Sequence, residues 1–255
     1  MIHLSLSAGR PPDVSPEEFD DYFRSRHLGF AKRLEGVRLL SATRVVRFHS
    51  ADGRAIPAWV LDAWWDDGDA LTRCFRSYGG LALLGDRMTM MADPLPGLAD
   101  VTEQVRHGSA RDALFDPGIG PRVRSGRTKL HLLVPPDRER DLDAVVEALG
   151  TKWPHEGSPI AAYSVSRGTG RAYPLNNVLA GVDPPTLPSA PSRGSAIELW
   201  LHPAFDLDLA AAGLGPLGGL LDDPEVTWWL GESRDVFMSL PVASFLALDP
   251  VGAGR

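Results

Sequence analysis

The sequence predicts an α+β protein made of two βαββαβ units whose sheets face one another within one chain, and three observations carry that expectation. The chain repeats itself: Ile2-His3-Leu4-Ser5-Leu6 returns 128 residues later as Leu130-His131-Leu132-Leu133-Val134, and Leu61-Asp62-Ala63-Trp64-Trp65 returns 136 residues later as Ile197-Glu198-Leu199-Trp200-Leu201. The offset jumps by eight where the second half alone carries a Pro-rich stretch, GVDPPTLPSAPSRG, at residues 181–194. Strand and helix periodicities also follow one another in the same order in both halves. A sheet that helices cover on one face must find cover for the other. Two such faces in one chain can cover each other, which gives an intramolecular, pseudo-dimeric α+β barrel of ferredoxin-like units.

The elements follow in order. The segments at residues 2–6 and 130–134 read as opening strands. Ser15-Pro16-Glu17-Glu18 is a capping box with proline at the first helical position. Phe19, Phe23, His27, Phe30 and Leu34 then recur at helical spacing until Gly36. Residues 39–48 form the second strand. A second helix starts near Asp69 and is expected to bury Leu71, Cys74, Phe75, Tyr78 and Leu81. In the second half Asp137 opens a helix through Leu142, Val145, Val146 and Leu149, residues 160–167 form a strand, and 205–221 form an irregular helix bent by its glycines and Pro216. Met88-Thr89-Met90-Met91 matches Val226-Thr227-Trp228-Trp229, and Asp100-Val101 matches Asp235-Val236; the Met88 and Val226 regions are expected to continue the sheet. The domain reading is therefore a first unit at 1–107, a linker at 108–127, a second unit at 128–241 carrying the insertion, and a tail at 242–255.

Composition bounds the function. With 26 basic against 33 acidic side chains, a formal charge of -7 and 44% hydrophobic residues, the chain is globular. Its scattered basic residues give no surface for nucleic acid or an anionic membrane. The lone Cys74 cannot form an internal disulfide, and no Cys pair is present to hold zinc or an iron–sulfur cluster. The weakly polar stretch at 209–221 is too short to span a bilayer, the start lacks a signal-peptide pattern, and no Gly-rich phosphate loop follows a strand. A cytoplasmic enzyme or small-molecule binder with no metal and no cofactor is expected, and a homodimer of fused barrels is left open.

Alternation along strands sorts the faces. Ile2, Leu4, Leu6, Leu61, Ala63, Trp65, Ile197, Leu199 and Leu201 belong to the helix-covered side. His3, Ser5, Asp62, Trp64, His131, Glu198 and Trp200 therefore face the barrel interior. With the first and third strands read as parallel neighbours, His3 is expected beside Asp62 and His131 beside Glu198. An imidazole held by a carboxylate has a fixed tautomer and a stabilised charged form, as general acid–base work requires. His27, on the apolar stripe of the first helix, has no counterpart in the second half, so it suits either one functional pocket or a backbone-bonded structural role. The candidate catalytic residues are His27, His3 and Asp62, with His131 and Glu198 as second-half candidates. Tyr22, Trp64, Met90, Trp200 and Trp228 are the candidate substrate-binding wall, a set that also suits an ordinary core.

Ser15-Pro16-Glu17-Glu18-Phe19 through Tyr22, Phe23 and His27, with Leu34-Glu35-Gly36, resembles the EthD-like family of dimeric α/β barrel proteins. Leu83-Leu84-Gly85-Asp86 is similar to the end of that family's second helix, and Glu198-Leu199-Trp200-Leu201 also resembles the family. The resemblance covers residues 1 to about 107 well and 128–241 weakly, since the second half lacks the helix histidine and carries the insertion. It implies the same barrel and a cytoplasmic small-molecule role, in ether or aromatic catabolism or polyketide tailoring. Relatives of that kind act as decarboxylases, cyclases or dehydratases; more distant ones are cofactor-free monooxygenases, lactone isomerases and haem proteins. The leading expectation is a cofactor-independent enzyme moving a proton on a hydrophobic, aromatic or polyketide-like molecule in a cyclisation, elimination, decarboxylation or isomerisation. A cofactor-free monooxygenase and a non-catalytic carrier are the alternatives, and a haem protein would draw its axial ligand from His27.

Overall fold

The structure, a computed structural model, describes residues 2–50, 56–90, 99–109, 127–152, 160–168, 194–201 and 215–238. Linker residues 110–126, the insertion up to 193, the second-half helix before 215, Met91 and the tail lie outside the described residues.

The first half runs β1 (Ile2–Ala8), α1 (Pro16–Tyr22), a π-helical turn (Phe23–His27), α2 (Leu28–Ala31), β2 (Leu39–His49), β3 (Trp59–Trp65), α3 (Gly68–Arg76), α4 (Tyr78–Met90) and β4 (Ala99–Ser109). The second runs β5 (Arg127–Val134), a 3₁₀ turn (Pro136–Arg138), α5 (Glu139–Lys152), β6 (Ile160–Gly168), β7 (Ser195–Leu201), α6 (Gly215–Asp222) and β8 (Thr227–Met238). The strands close a barrel in the order β1-β3-β2-β8-β5-β7-β6-β4. Among the described residues each half contributes four strands, and the seams are the antiparallel pairs β2–β8 and β4–β6.

Local chemistry explains the helices. Ser15 accepts from the Glu18 N–H while the Glu18 side chain returns to the Ser15 N–H, so the expected capping box is formed. Asp67 caps α3 through the Ala70 N–H. Between the helices and the sheet lie two apolar layers. One gathers Leu4, Leu6, Phe19, Phe23, Leu61, Trp65, Leu71 and Phe75; the other gathers Leu130, Leu132, Leu142, Val145, Ile197, Leu199, Leu217 and Leu220. These are the faces that alternation assigned to the helices.

Four expectations are corrected. First, β1 and β3 are antiparallel, not parallel. The helical crossover returns the chain to run β2 alongside β1 in direction, and the β2–β3 hairpin then reverses it. Second, Met88–Met90 belong to α4 rather than to a strand, and the fourth strand is Ala99–Ser109; a short apolar run does not declare its period. Third, Tyr78 is 79% exposed, because Ser77 is extended and its N–H bonds Cys74 O, which interrupts the helical stripe between α3 and α4. The new helix then starts tight: a Cβ on Gly79 would lie 2.2 Å from Arg33 O, and one on Gly80 2.3 Å from Cys74 O. Fourth, the second-half helix begins at Glu139, after a 3₁₀ turn that contains Asp137.

The repeat also carries a slip of two residues. His3 stands opposite Trp64 and Ser5 opposite Asp62 in the β1–β3 register. In the β5–β7 register Lys129 stands opposite Trp200 and His131 opposite Glu198. Counted from the third strands, the counterpart of His3 is Lys129, not His131. A two-residue slip keeps every side chain on its face, so an apolar pattern cannot detect it.

Candidate functional site inside the barrel

The inward positions of β1, β3, β5 and β7 meet in the barrel interior. His3, Ser5, Asp62, Lys129, His131 and Glu198 are each at most 2% exposed. Asp62 is fully engaged: its Oδ1 accepts from Ser5 Oγ at 2.7 Å and faces His3 Nε2 at 3.1 Å, and its Oδ2 accepts from Lys129 Nζ at 2.7 Å. The Lys129 ammonium also pairs with Glu198 Oε1, so one cation from the second half joins a carboxylate of each half. His131 Nδ1 stands 3.6 Å from Glu198 Oε1, beyond hydrogen-bond distance.

Aromatic rings enclose this group. His3 lies flat on Trp64, with ring centroids 4.3 Å apart, and His131 lies on Trp229 at 4.0 Å; the two imidazoles are 6.1 Å apart. Lys129 Nζ sits 5.1 Å from the Trp200 ring centroid and 5.8 Å from that of Trp64, within cation–π range.

Burial opposes every charge here, and pairing decides the outcome. For Asp62 burial pulls upward, but the Lys129 ammonium and the His3 hydrogen bond outweigh it and hold the carboxyl well below its ordinary range. Burial likewise works against ionisation of Glu198, yet Lys129 first and then the imidazoles bring it down to about 2. Burial would neutralise Lys129, but Asp62 and Glu198 together raise it. His131 goes the other way: burial lowers it despite Glu198. The interior thus keeps an ionised ammonium–dicarboxylate unit beside an imidazole that resists protonation.

His27 lies elsewhere. The π turn sets it against Phe23, at 4.9 Å between ring centroids, in the layer between helices and sheet. Its Nδ1 is 2.7 Å from Asp86 Oδ2, and Tyr22 donates to Asp86 Oδ1. Burial lowers His27 although Asp86 acts to raise it, and burial followed by Asp86 raises the Tyr22 phenol. The proposed catalytic residues therefore form two groups on opposite faces of the first sheet: His3 and Asp62 inside, His27 outside.

Of the proposed wall, Trp64 and Trp200 face the interior. Trp228 does not: it packs on the outer layer and donates to Leu221 O at 3.2 Å, while the adjacent Trp229 points inward. Tyr22 belongs to the His27 group, and the Met90 side chain lies outside the described residues. Sequence reasoning missed Lys129, Trp229 and Asp86. Lys129 had a signal, since it stands two residues before His131 on the same strand face.

His3, Asp62 and Glu198 offer donor atoms within 4.8 Å of one another, a spacing that suits a metal ion. The Lys129 ammonium already pairs with both carboxylates at that point, so with Lys129 in place the cation of this cluster is supplied by the chain itself.

No family model matches the chain, and no curated protein matches it. Solved structures similar to it include an ethyl tert-butyl ether D (EthD) family protein of Bacillus halodurans, 23% identical over 40% of this chain and 93% of that one, with a TM-score of 0.32. An anthrone oxidase-like protein is 14% identical over 94% of this chain and 95% of its own, with a TM-score of 0.46. A candidate monooxygenase of Fusobacterium nucleatum is 8% identical over 94% and 97%, also with a TM-score of 0.46.

Proposed function

We propose that the protein is a cofactor-independent enzyme that transfers a proton on a hydrophobic small molecule enclosed by the barrel. The supporting observation is the buried array His3–Asp62–Lys129–Glu198 with His131 beside it. Placing an ammonium and two carboxylates in an apolar interior costs several kcal/mol per ion. Such groups are concentrated at functional sites. In this reading the imidazoles of His3 and His131 exchange the proton, Asp62 orients His3, and Lys129 stabilises negative charge that develops on the substrate. Trp64, Trp200 and Trp229 supply flat apolar walls, which suits an aromatic or polyketide-like substrate and a cyclase, dehydratase, decarboxylase or isomerase outcome. A cytoplasmic location and the division into units at 1–107 and 128–241 belong to the same proposal.

The test is a panel of hydrophobic phenols and β-dicarbonyl compounds, with products and dissolved oxygen followed together. His3→Gln is expected to reduce turnover by about a hundredfold or more while the melting temperature moves by a few degrees. Oxygen consumption stoichiometric with product would identify the monooxygenase alternative. Tight binding without turnover of any compound would favour the carrier. One observation favours a second reading, in which His27 acts: Asp86 holds its Nδ1 from a π-helical turn, a feature frequent at functional sites. His27→Gln then abolishes turnover and His3→Gln does not.

A further inference from the structure

Among the described residues, four aromatic side chains inside the barrel have polar atoms without a hydrogen-bond partner. They are Trp64, Trp200 and Trp229, each through Nε1, and His131 through both ring nitrogens. All four side chains are at most 1% exposed. A buried donor left unpaired is costly, and native interiors keep few of them. Here they surround one ammonium: Trp64 and Trp200 flank Lys129 Nζ, and Trp229 carries His131 on its ring face. Indole N–H groups only donate. The two Glu198 oxygens also lack a hydrogen-bond donor beyond the Lys129 ion pair, so the unpaired groups of the interior suit a ligand oxygen that accepts from the indoles and carries a proton to donate.

The charge of the cluster restricts that ligand. One ammonium against two carboxylates leaves a single negative charge when both imidazoles are neutral. An arriving carboxylate would add a second negative charge in a medium where like charges repel far more than in water. A neutral hydroxyl acid adds none. It can pass its proton to an imidazole: the ligand O–H bond breaks, an N–H bond forms on His131, and the electron pair stays on the ligand oxygen. The total charge is unchanged, the oxyanion formed beside His131 supplies the counter-charge that a buried imidazolium otherwise lacks, and the indole donors meet that oxyanion.

We propose, on the basis of the proton-transfer reading above, that the barrel interior selects neutral, weakly acidic hydroxyl compounds, phenols or enols, over carboxylates of the same shape. His131 accepts the ligand proton, and Trp64, Trp200 and Trp229 hold the resulting oxyanion. Glu198 sets the selection, because it supplies the charge in excess of the Lys129–Asp62 pair.

The experiment is calorimetric titration of the full-length protein with 2-naphthol and with 2-naphthoate, which share one ring system and differ in charge at neutral pH. Wild type is expected to bind naphthol at least ~10-fold more tightly. Glu198→Gln removes one negative charge in nearly the same shape and is expected to shift the naphthol-to-naphthoate ratio at least ~10-fold toward naphthoate. A gain of naphthoate binding cannot come from damaged folding. His131→Phe keeps a ring on Trp229 and is expected to weaken naphthol specifically. Tighter naphthoate binding by wild type, an unchanged ratio in Glu198→Gln, or binding of neither compound overturns the proposal. Neither compound need be turned over, so naphthoate preference in a protein whose His3→Gln variant loses turnover overturns this selection rule and leaves the catalytic reading standing.

Discussion

Lys129 joins the two halves at the scale of a single residue. Its ammonium is 0% exposed and is shared by Asp62 of β3 and Glu198 of β7. Lys129→Met leaves two buried carboxylates without their cation and is expected to cost about 3–5 kcal/mol, read by chemical denaturation. Adding Asp62→Asn and Glu198→Gln to Lys129→Met removes the stranded charges and should recover most of that loss; no recovery would mean that the lysine acts through packing. Burial also sets a pH dependence. The folded-state pKa values of His131 and His27 lie below the ordinary 6.5, so the unfolded chain binds more protons between those values. Their contribution to stability is complete above about 6.5 and is lost as pH falls from there toward the folded values. The melting temperature should drop on acidification from about pH 7.5 to 5, and His131→Phe should flatten that drop. His3, Asp62, His131 and Glu198 could be placed inside from alternation alone. The same alternation puts Lys129 on the face of His131, but its role did not follow from that, because a lone lysine on a strand ordinarily reads as solvent-facing and its partners come from strands far apart in sequence.

Among the elements, the first helix was legible at its start and opaque in its middle. Ser15, Pro16 and Glu18 announce the cap, but Phe19, Phe23 and His27 at four-residue spacing fit an α-helix as well as the π turn that forms. The partner that the π turn brings to His27, Asp86 of α4, lies 59 residues away in sequence, beyond the reach of a local pattern. His27→Leu should cost about 1–3 kcal/mol by leaving an Asp86 oxygen unpaired, with turnover within a few-fold of wild type. Ser77 and the extension of α4 to Met90 were hidden for a similar reason: the apolar spacing continues through the break, and tertiary packing ends it. At the β2–β8 seam, Gly231 meets β2 so closely that a Cβ would fall 2.1 Å from Arg44 O. Gly231→Ala is expected to cost about 1–3 kcal/mol or more and to loosen the seam, seen as faster amide exchange in β2 and β8.

At the scale of the whole molecule, the repeat and the one-sided apolar faces were enough to anticipate a closed barrel within one chain. They could not give the relative register of β1 and β5, since slips of two residues preserve the alternation on which the argument rests. That slip matters chemically. It places Lys129, rather than a second imidazole, where His3 has its counterpart, and so converts two similar halves into one asymmetric, charge-coupled interior.

The central claim is that this interior, and not the histidine under the helices, moves the proton. Its most direct test is the turnover of His3→Gln and His27→Gln, side by side with wild type, on one compound that wild type converts, with melting temperatures recorded for all three. The expected result is a loss of about a hundredfold or more in His3→Gln, with a small change in melting temperature, and near-normal turnover in a less stable His27→Gln. Normal turnover in His3→Gln together with loss in His27→Gln would contradict the account and move the chemistry to the Tyr22–Asp86–His27 group.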